Sequence, residues 1–216
     1  VAPTSWAAEV PAAAETTRDV AAARAALIAD GWTAGEDGVF ARAGTRLEAD
    51  IVVREGQVAR TRAAQLIVDQ VAECGISLTV AELPFATDIA PRLRYPNDFD
   101  LYLGAWQWGL DPDDSDIFAS DACPTEEAPA GKNFVCWSSP RVDQLLAQGL
   151  AAGSINSRVG IYATIQSLRR SERPYLLLWG DPGYALLRNR FTWPTRAADE
   201  KSPLYAWALH TWDLQR

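Results

Sequence analysis

Apolar positions recur at three- and four-residue spacing over residues 61–74, at Ala63, Leu66, Ile67, Val71 and Cys74. That spacing predicts an amphipathic helix that stops at Gly75. The period then drops to two: Ile76, Leu78 and Val80 alternate with Ser77 and Thr79, the pattern of a half-buried strand. Upstream, Asp19 is placed to cap a helix over residues 20–30, with Val20, Ala23 and Leu27 on one face and Gly31 at its stop. Turn-rich residues 35–44, bracketed by residues 39–41 and 47–53, predict a small hairpin leading into a strand. Downstream, a short helix over residues 86–93 precedes a strand over residues 99–106. Strand, helix, strand, helix, strand predicts an α/β layer with parallel neighbours joined by right-handed crossovers.

Residues 111–140 are acidic and loop-like, and loops beyond about 12–15 residues tend to be functional or clamped. Two helices follow. Val142, Leu145, Leu146 and Leu150 mark the first; Val159, Ile161, Tyr162, Ile165, Gln166 and Leu168 mark the second. Residues 175–179 and 184–187 are strand candidates split by the Asp181-Pro182-Gly183 turn, and the aromatic tail over 204–212 is one more. Residues 1–18 read as an extended lead-in, and residues 19–216 are long enough for one large domain or two small ones.

Composition narrows the chemistry. Of 216 residues 48% are apolar and 22% charged, which is ordinary globular composition. A net charge of −8 argues against a nucleic-acid partner. No run approaches the roughly 18 continuous apolar residues of a membrane span, so the lobe itself is expected not to cross one. Residues 1–11 lack the basic and apolar segments of a secretory signal. Methionine is absent throughout, which suggests a processed or excised chain. His210 is the single histidine, which weakens general-base and zinc readings. No Gly-x-Ser-x-Gly elbow, phosphate loop or dinucleotide fingerprint occurs. The expectation is therefore no enzyme, no metal and no cofactor.

Three features invite closer reading. Cys123 and Cys136 flank the long loop. A disulfide between them would stabilise the fold by roughly 3 kcal/mol and imply an oxidising compartment; the alternative is two unrelated buried thiols. Cys74 fits a free core cysteine. The acidic run Asp111-Pro112-Asp113-Asp114-Ser115-Asp116 suggests calcium, but an EF-type loop needs glycine sixth and glutamate twelfth, where this chain has Asp116 and Ala122. A solvated loop with a helix cap is the better account. Trp106 and Trp108 bracket Gln107 at a strand end, just where ligands bind in open α/β sheets. They form either a ligand wall or core packing.

The order of several segments resembles a known family. Residues 25–32 (AALIADGW) with Gly38 and Gly44-Thr45-Arg46-Leu47 resemble its lobe opening. Glu73-Cys74-Gly75-Ile76 and the strand after it, then Asp98-Phe99-Asp100 through Trp106 to Asp111-Pro112, match in sequence. Asn133 followed by Ser139-Pro140-Arg141-Val142-Asp143-Gln144-Leu145-Leu146 continues the order, as do residues 158–167 and 174–179. Together they resemble the C-terminal half of the family 5 extracellular solute-binding proteins, the dipeptide-, oligopeptide- and nickel-type receptors of ABC importers.

The resemblance implies the second lobe of a type II periplasmic-binding architecture, a mostly parallel sheet flanked by helices. Its ligand site would face a first lobe across a hinged cleft. In dipeptide-type members an aspartate pairs with the peptide α-amino group, and this chain has Trp108 in its place. A carboxylate-pairing arginine near the earlier strand end corresponds to Arg54. Trp106, Gln107, Trp108, Asn133 and Arg54 are thus the expected ligand-facing residues. The implied role is non-catalytic capture of a peptide, or of an oligosaccharide stacked on tryptophan, for delivery to ABC permease subunits. The setting would be periplasmic or a cell-surface lipoprotein. A protein-interaction or sensory module on the same fold is the alternative.

Overall fold

The computed structural model describes residues 5–8, 18–107, 109 and 111–180, with the backbone of 191–192 and 213–214. The first helix, α1 (Val20–Ala29), begins where the sequence predicts: Asp19 Oδ1 accepts the Ala22 N–H at 2.8 Å. Three short strands, β1 (Thr33–Ala34), β2 (Phe40–Arg42) and β3 (Thr45–Arg46), form an antiparallel meander. Ala43 and Gly44 both take positive φ between β2 and β3, the two-residue turn that matches strand twist.

The core sheet follows. β4 (Glu48–Arg54), α2 (Val58–Ala72) and β5 (Ser77–Leu83) form a parallel crossover unit, and β6 (Leu101–Leu103) adds to the other side of β4. The strand order is β5-β4-β6, so β4 is central. Its run Ile51-Val52-Val53 is apolar without a break because both faces are covered. Ile51 and Val53 pack on Ala64, Ile67 and Val68 of α2. Val52 packs on the opposite face with Ile89, Leu93, Tyr102 and Phe134. Gly75 ends the α2–β5 connection at φ 88°, and a Cβ there would run into the Phe40 ring. Only glycine allows the meander to close against this corner.

Several boundaries differ from the periodic reading. α2 starts three residues early, since Val58 is exposed and the first turn leaves no mark on the apolar pattern. The helix expected over 86–93 is a single π-helical turn, Phe85–Ile89, followed by α3 (Ala90–Arg92). Pro91 has no N–H to close an ordinary helical bond, and the wider turn is closed by Ile89 N–H to Pro84 O at 3.2 Å. β6 ends at Leu103 rather than 106, where its pairing with Val53 of β4 stops, and the Tyr102 ring lies over Gly104, 2.5 Å from where a Cβ would stand. The expected loop over 111–140 contains α4 (Ser115–Phe118) and a 3₁₀ turn, Ser120–Ala122.

The two later helices are α5 (Pro140–Ala151) and α6 (Ile155–Glu172), the latter capped by Ser154 Oγ on the Ser157 N–H. Residues 175–179 form no strand; Leu176 and Leu177 are exposed, and apolar character alone does not supply a ladder partner. The strand candidates at 184–187 and 204–212, and His210, lie outside the described residues. β7 (Phe191–Thr192) and β8 (Asp213–Leu214) pair antiparallel. No helix among the described residues is long and apolar enough to cross a membrane.

The expected single lobe is distributed over two compact units. One comprises Pro11–Gln107 and Asp114–Asp143, and holds the parallel sheet. The other comprises Val1–Val10, Trp108–Asp113 and Gln144–Arg216. In the second, Tyr162 and Ile165 of α6 are fully buried, and Gly149 lies against the Tyr162 ring.

Candidate functional site

Because β4, β5 and β6 are parallel, their carboxyl ends share one edge, the usual ligand edge of an open α/β sheet. The register brings Arg54 opposite Leu83, and the ladder ends with Glu55 N–H donating to Leu83 O at 2.9 Å. Arg54 is exposed, and its guanidinium lies over the Phe85 ring, 5.7 Å from the centroid. Arg60, in the first turns of α2, acts on the same neighbourhood. Burial pushes the Tyr102 hydroxyl above its ordinary pKa, and the positive charges of Arg60 and Arg54 oppose that rise. Neither guanidinium has an ion-pair partner among the described residues. This edge is therefore chemically suited to an anionic group.

Past β6 the chain presents Trp106 and Gln107. Trp106 is half-buried and stacks on Phe134, with ring centroids 5.3 Å apart and planes inclined by 23°. Phe134 reaches back into the core beside Val52 and Ile89, and Asn97 Nδ2 donates to its carbonyl at 2.9 Å. Gln107 is exposed. Trp108 lies outside the described residues. The alternating-strand argument for Trp106 and Trp108 does not apply, because the strand has ended at Leu103.

The loop that carries Phe134 is cross-linked. Cys123 and Cys136 form the expected disulfide, with Cα atoms 4.7 Å apart. Cys74 is free. Asn133, expected among the ligand-facing residues, is held by the loop. It is fully buried, its Nδ2 donates to Ala119 O at 3.0 Å and Trp137 O at 2.7 Å, and its Oδ1 accepts the Trp137 N–H at 3.1 Å. A side chain whose amide is bonded to backbone in this way frames the loop. Its position in a disulfide-closed loop, three residues before Cys136 in the left-handed region, is the signal that favoured this role.

Sequence reasoning missed Phe85, Tyr102 and Phe134. For Phe85 a signal existed: an aromatic residue directly after Pro84, where the alternating strand ends.

Two carboxylates of the acidic run, Asp111 and Asp116, are paired with cations of the chain itself. Asp111 accepts a two-point bond from Arg158, at 2.9 and 2.6 Å, and this holds its carboxyl below the usual carboxylate range. Arg158 also donates to the Tyr162 hydroxyl at 3.3 Å and covers the Trp6 ring. Asp116 pairs with Lys132. Among the described residues no group of three or more His, Cys, Asp or Glu side chains is arranged to hold a metal.

Comparison with known proteins gives a consistent picture. The family model described as bacterial extracellular solute-binding proteins, family 5 Middle, matches residues 1–126. A probable di/tripeptide-binding protein 5 of Pseudomonas aeruginosa (strain UCBPP-PA14) is 30% identical over 125 residues, covering 58% of this chain and 23% of that protein. Among solved structures, the oligopeptide-binding protein of Thermus thermophilus complexed with a pentapeptide aligns with a TM-score of 0.72 at 24% identity, over 81% of this chain and 31% of that one. The oligopeptide-binding protein AppA of Bacillus subtilis, in complex with a nonapeptide, aligns with a TM-score of 0.69 at 19% identity. That match covers all of this chain and 41% of AppA. The chain thus spans well under half the length of each of these relatives.

Proposed function

The chain belongs to the bacterial extracellular solute-binding proteins, family 5, and from that premise we propose that it captures a peptide without chemistry and delivers it to an ABC permease. The site is the carboxyl edge of the β5-β4-β6 sheet. Arg54 pairs with the ligand's carboxylate, while Trp106 and Gln107 line the wall beside it, with Trp108 next in the chain. Capture takes place outside the cytoplasm, and the first lobe of the full-length protein closes over the ligand.

One observation carries this reading: Arg54 and the Trp106–Phe134 stack occupy the same end of a parallel sheet, joined through adjacent strands. An unpaired guanidinium beside an aromatic wall suits a short peptide, whose carboxylate needs a charged partner and whose side chains need apolar contact. The names of the relatives, which speak of di/tripeptides, a pentapeptide and a nonapeptide, support the same class.

Calorimetric titration of the full-length protein with a tri- to pentapeptide panel and an oligosaccharide panel tests it. Saturable peptide binding is expected, weakened about tenfold or more by Arg54→Gln, since charge-assisted hydrogen bonds contribute about 1.5–3 kcal/mol. Binding of sugars alone would move the function to carbohydrate uptake. Silence with both panels would favour an interaction or sensory module.

A further inference from the structure

We propose that Phe85 is a positioning residue for Arg54: its ring, set by the π-helical turn, fixes the guanidinium in the orientation that meets the ligand's carboxylate. The proposal rests on the carboxylate role of Arg54 given above. Arg54 is the last residue of β4, exposed and without an ion pair among the described residues. A long side chain at such a place samples many rotamers, and holding it still costs entropy each time an anion binds. Among the described residues its guanidinium meets one ring, that of Phe85, at 5.7 Å from the centroid.

The chain builds that contact with care. Arg54 pairs in register with Leu83, and Phe85 follows two residues later, so both sit at adjoining strand ends. Between them Pro84 fixes φ and leads into the π turn, in which Asp88 and Ile89 both donate to Pro84 O and Ala90 donates to Phe85 O. The turn anchors itself through Ile89, which is fully buried against Val52 and Leu93. Phe85, at its other end, stays 40% exposed. Single π turns are rare and concentrate at functional sites. Here the turn's product is an aromatic face presented to a guanidinium.

Pre-orientation by a partly exposed ring predicts a modest, specific effect. A cation–π contact of this kind corresponds to about two- to fivefold in an equilibrium constant. The quantity to measure is the preference of the full-length protein for trialanine over trialanine C-terminal amide, which isolates the carboxylate's contribution. Phe85→Leu keeps apolar volume and removes the ring; it should lower this preference about two- to fivefold while leaving the amide's affinity unchanged. Phe85→Tyr should restore it. Added to Arg54→Gln, Phe85→Leu should have no further effect, because the group it orients is gone. A wild-type preference in Phe85→Leu, with Arg54→Gln abolishing it, overturns the positioning role and leaves the carboxylate role of Arg54 standing. Absence of any preference, or of any binding, in the wild type overturns both. Phe85→Leu weakening acid and amide equally would mark the ring as simple wall surface and also overturn the proposal.

Discussion

The indole of Trp106 rests on the phenyl ring of Phe134 at a centroid separation of 5.3 Å, joining the segment after β6 to the disulfide-closed loop. Phe134 is itself part of the core layer under β4. Trp106 is thereby referenced to the sheet rather than to solvent.

Replacing Phe134 should loosen that reference. Phe134→Leu retains apolar volume but loses the stack, at a cost of about 0.5–1.5 kcal/mol. The emission attributable to Trp106, taken as the difference from Trp106→Phe, should shift to the red, and peptide affinity should fall. Unchanged emission would mean that the indole is held by other contacts.

The disulfide should contribute through the unfolded state. It links residues 13 apart, and opening such a loop costs about 3 kcal/mol in the chain-entropy treatment. Cys123→Ser with Cys136→Ser should lower stability by that order in denaturant titration, and wild type in reductant should converge on the double variant. Thiol titration of the denatured chain should find one free thiol before reduction and three after.

Two glycines with similar backbone angles should behave differently. Gly75 and Gly56 lie at φ 88° and 75°, but a Cβ at Gly75 collides with the Phe40 ring while one at Gly56 meets nothing within 4 Å. Gly56→Ala should cost about 1 kcal/mol from backbone strain alone. Gly75→Ala should cost at least about twice as much, because it also displaces a fully buried ring. Equal melting shifts would remove the packing argument.

The Asp111–Arg158 pair carries a pH signature. The guanidinium depresses the Asp111 pKa in the folded protein, so its stabilisation is present above the unfolded carboxylate range, near 3.9, and is lost as pH falls through the folded value. Asp111 is more than half exposed, which limits the contribution to about 1 kcal/mol or less. Asp111→Asn should therefore be less stable than wild type at pH 7, and the difference should close as pH falls below the unfolded carboxylate range and through the lowered folded value. A constant difference across that window would assign the effect to something other than charge.

What the sequence determined by itself was whatever short-range spacing encodes. Asp19 before an apolar face named the start of α1, and Gly75 marked the turn between α2, which ends at Ala72, and β5. The unbroken Ile51-Val52-Val53 run and the alternation after Gly75 marked two strands of a parallel layer, and two cysteines around a long loop marked its closure. The ordered segments identified the family. Tertiary structure decided what depends on partners distant in sequence. Asn133 looks like a polar ligand contact until the carbonyls of Ala119 and Trp137 are seen to use its amide fully. Residues 175–179 have strand composition, yet a strand exists only where another lies beside it. A predicted helical turn is π-helical, and the register of β4 with β5 sets Phe85 beneath Arg54. Periodicity reports which side of an element is buried; it does not report which residues of two different elements meet, because that is fixed by packing across the sheet.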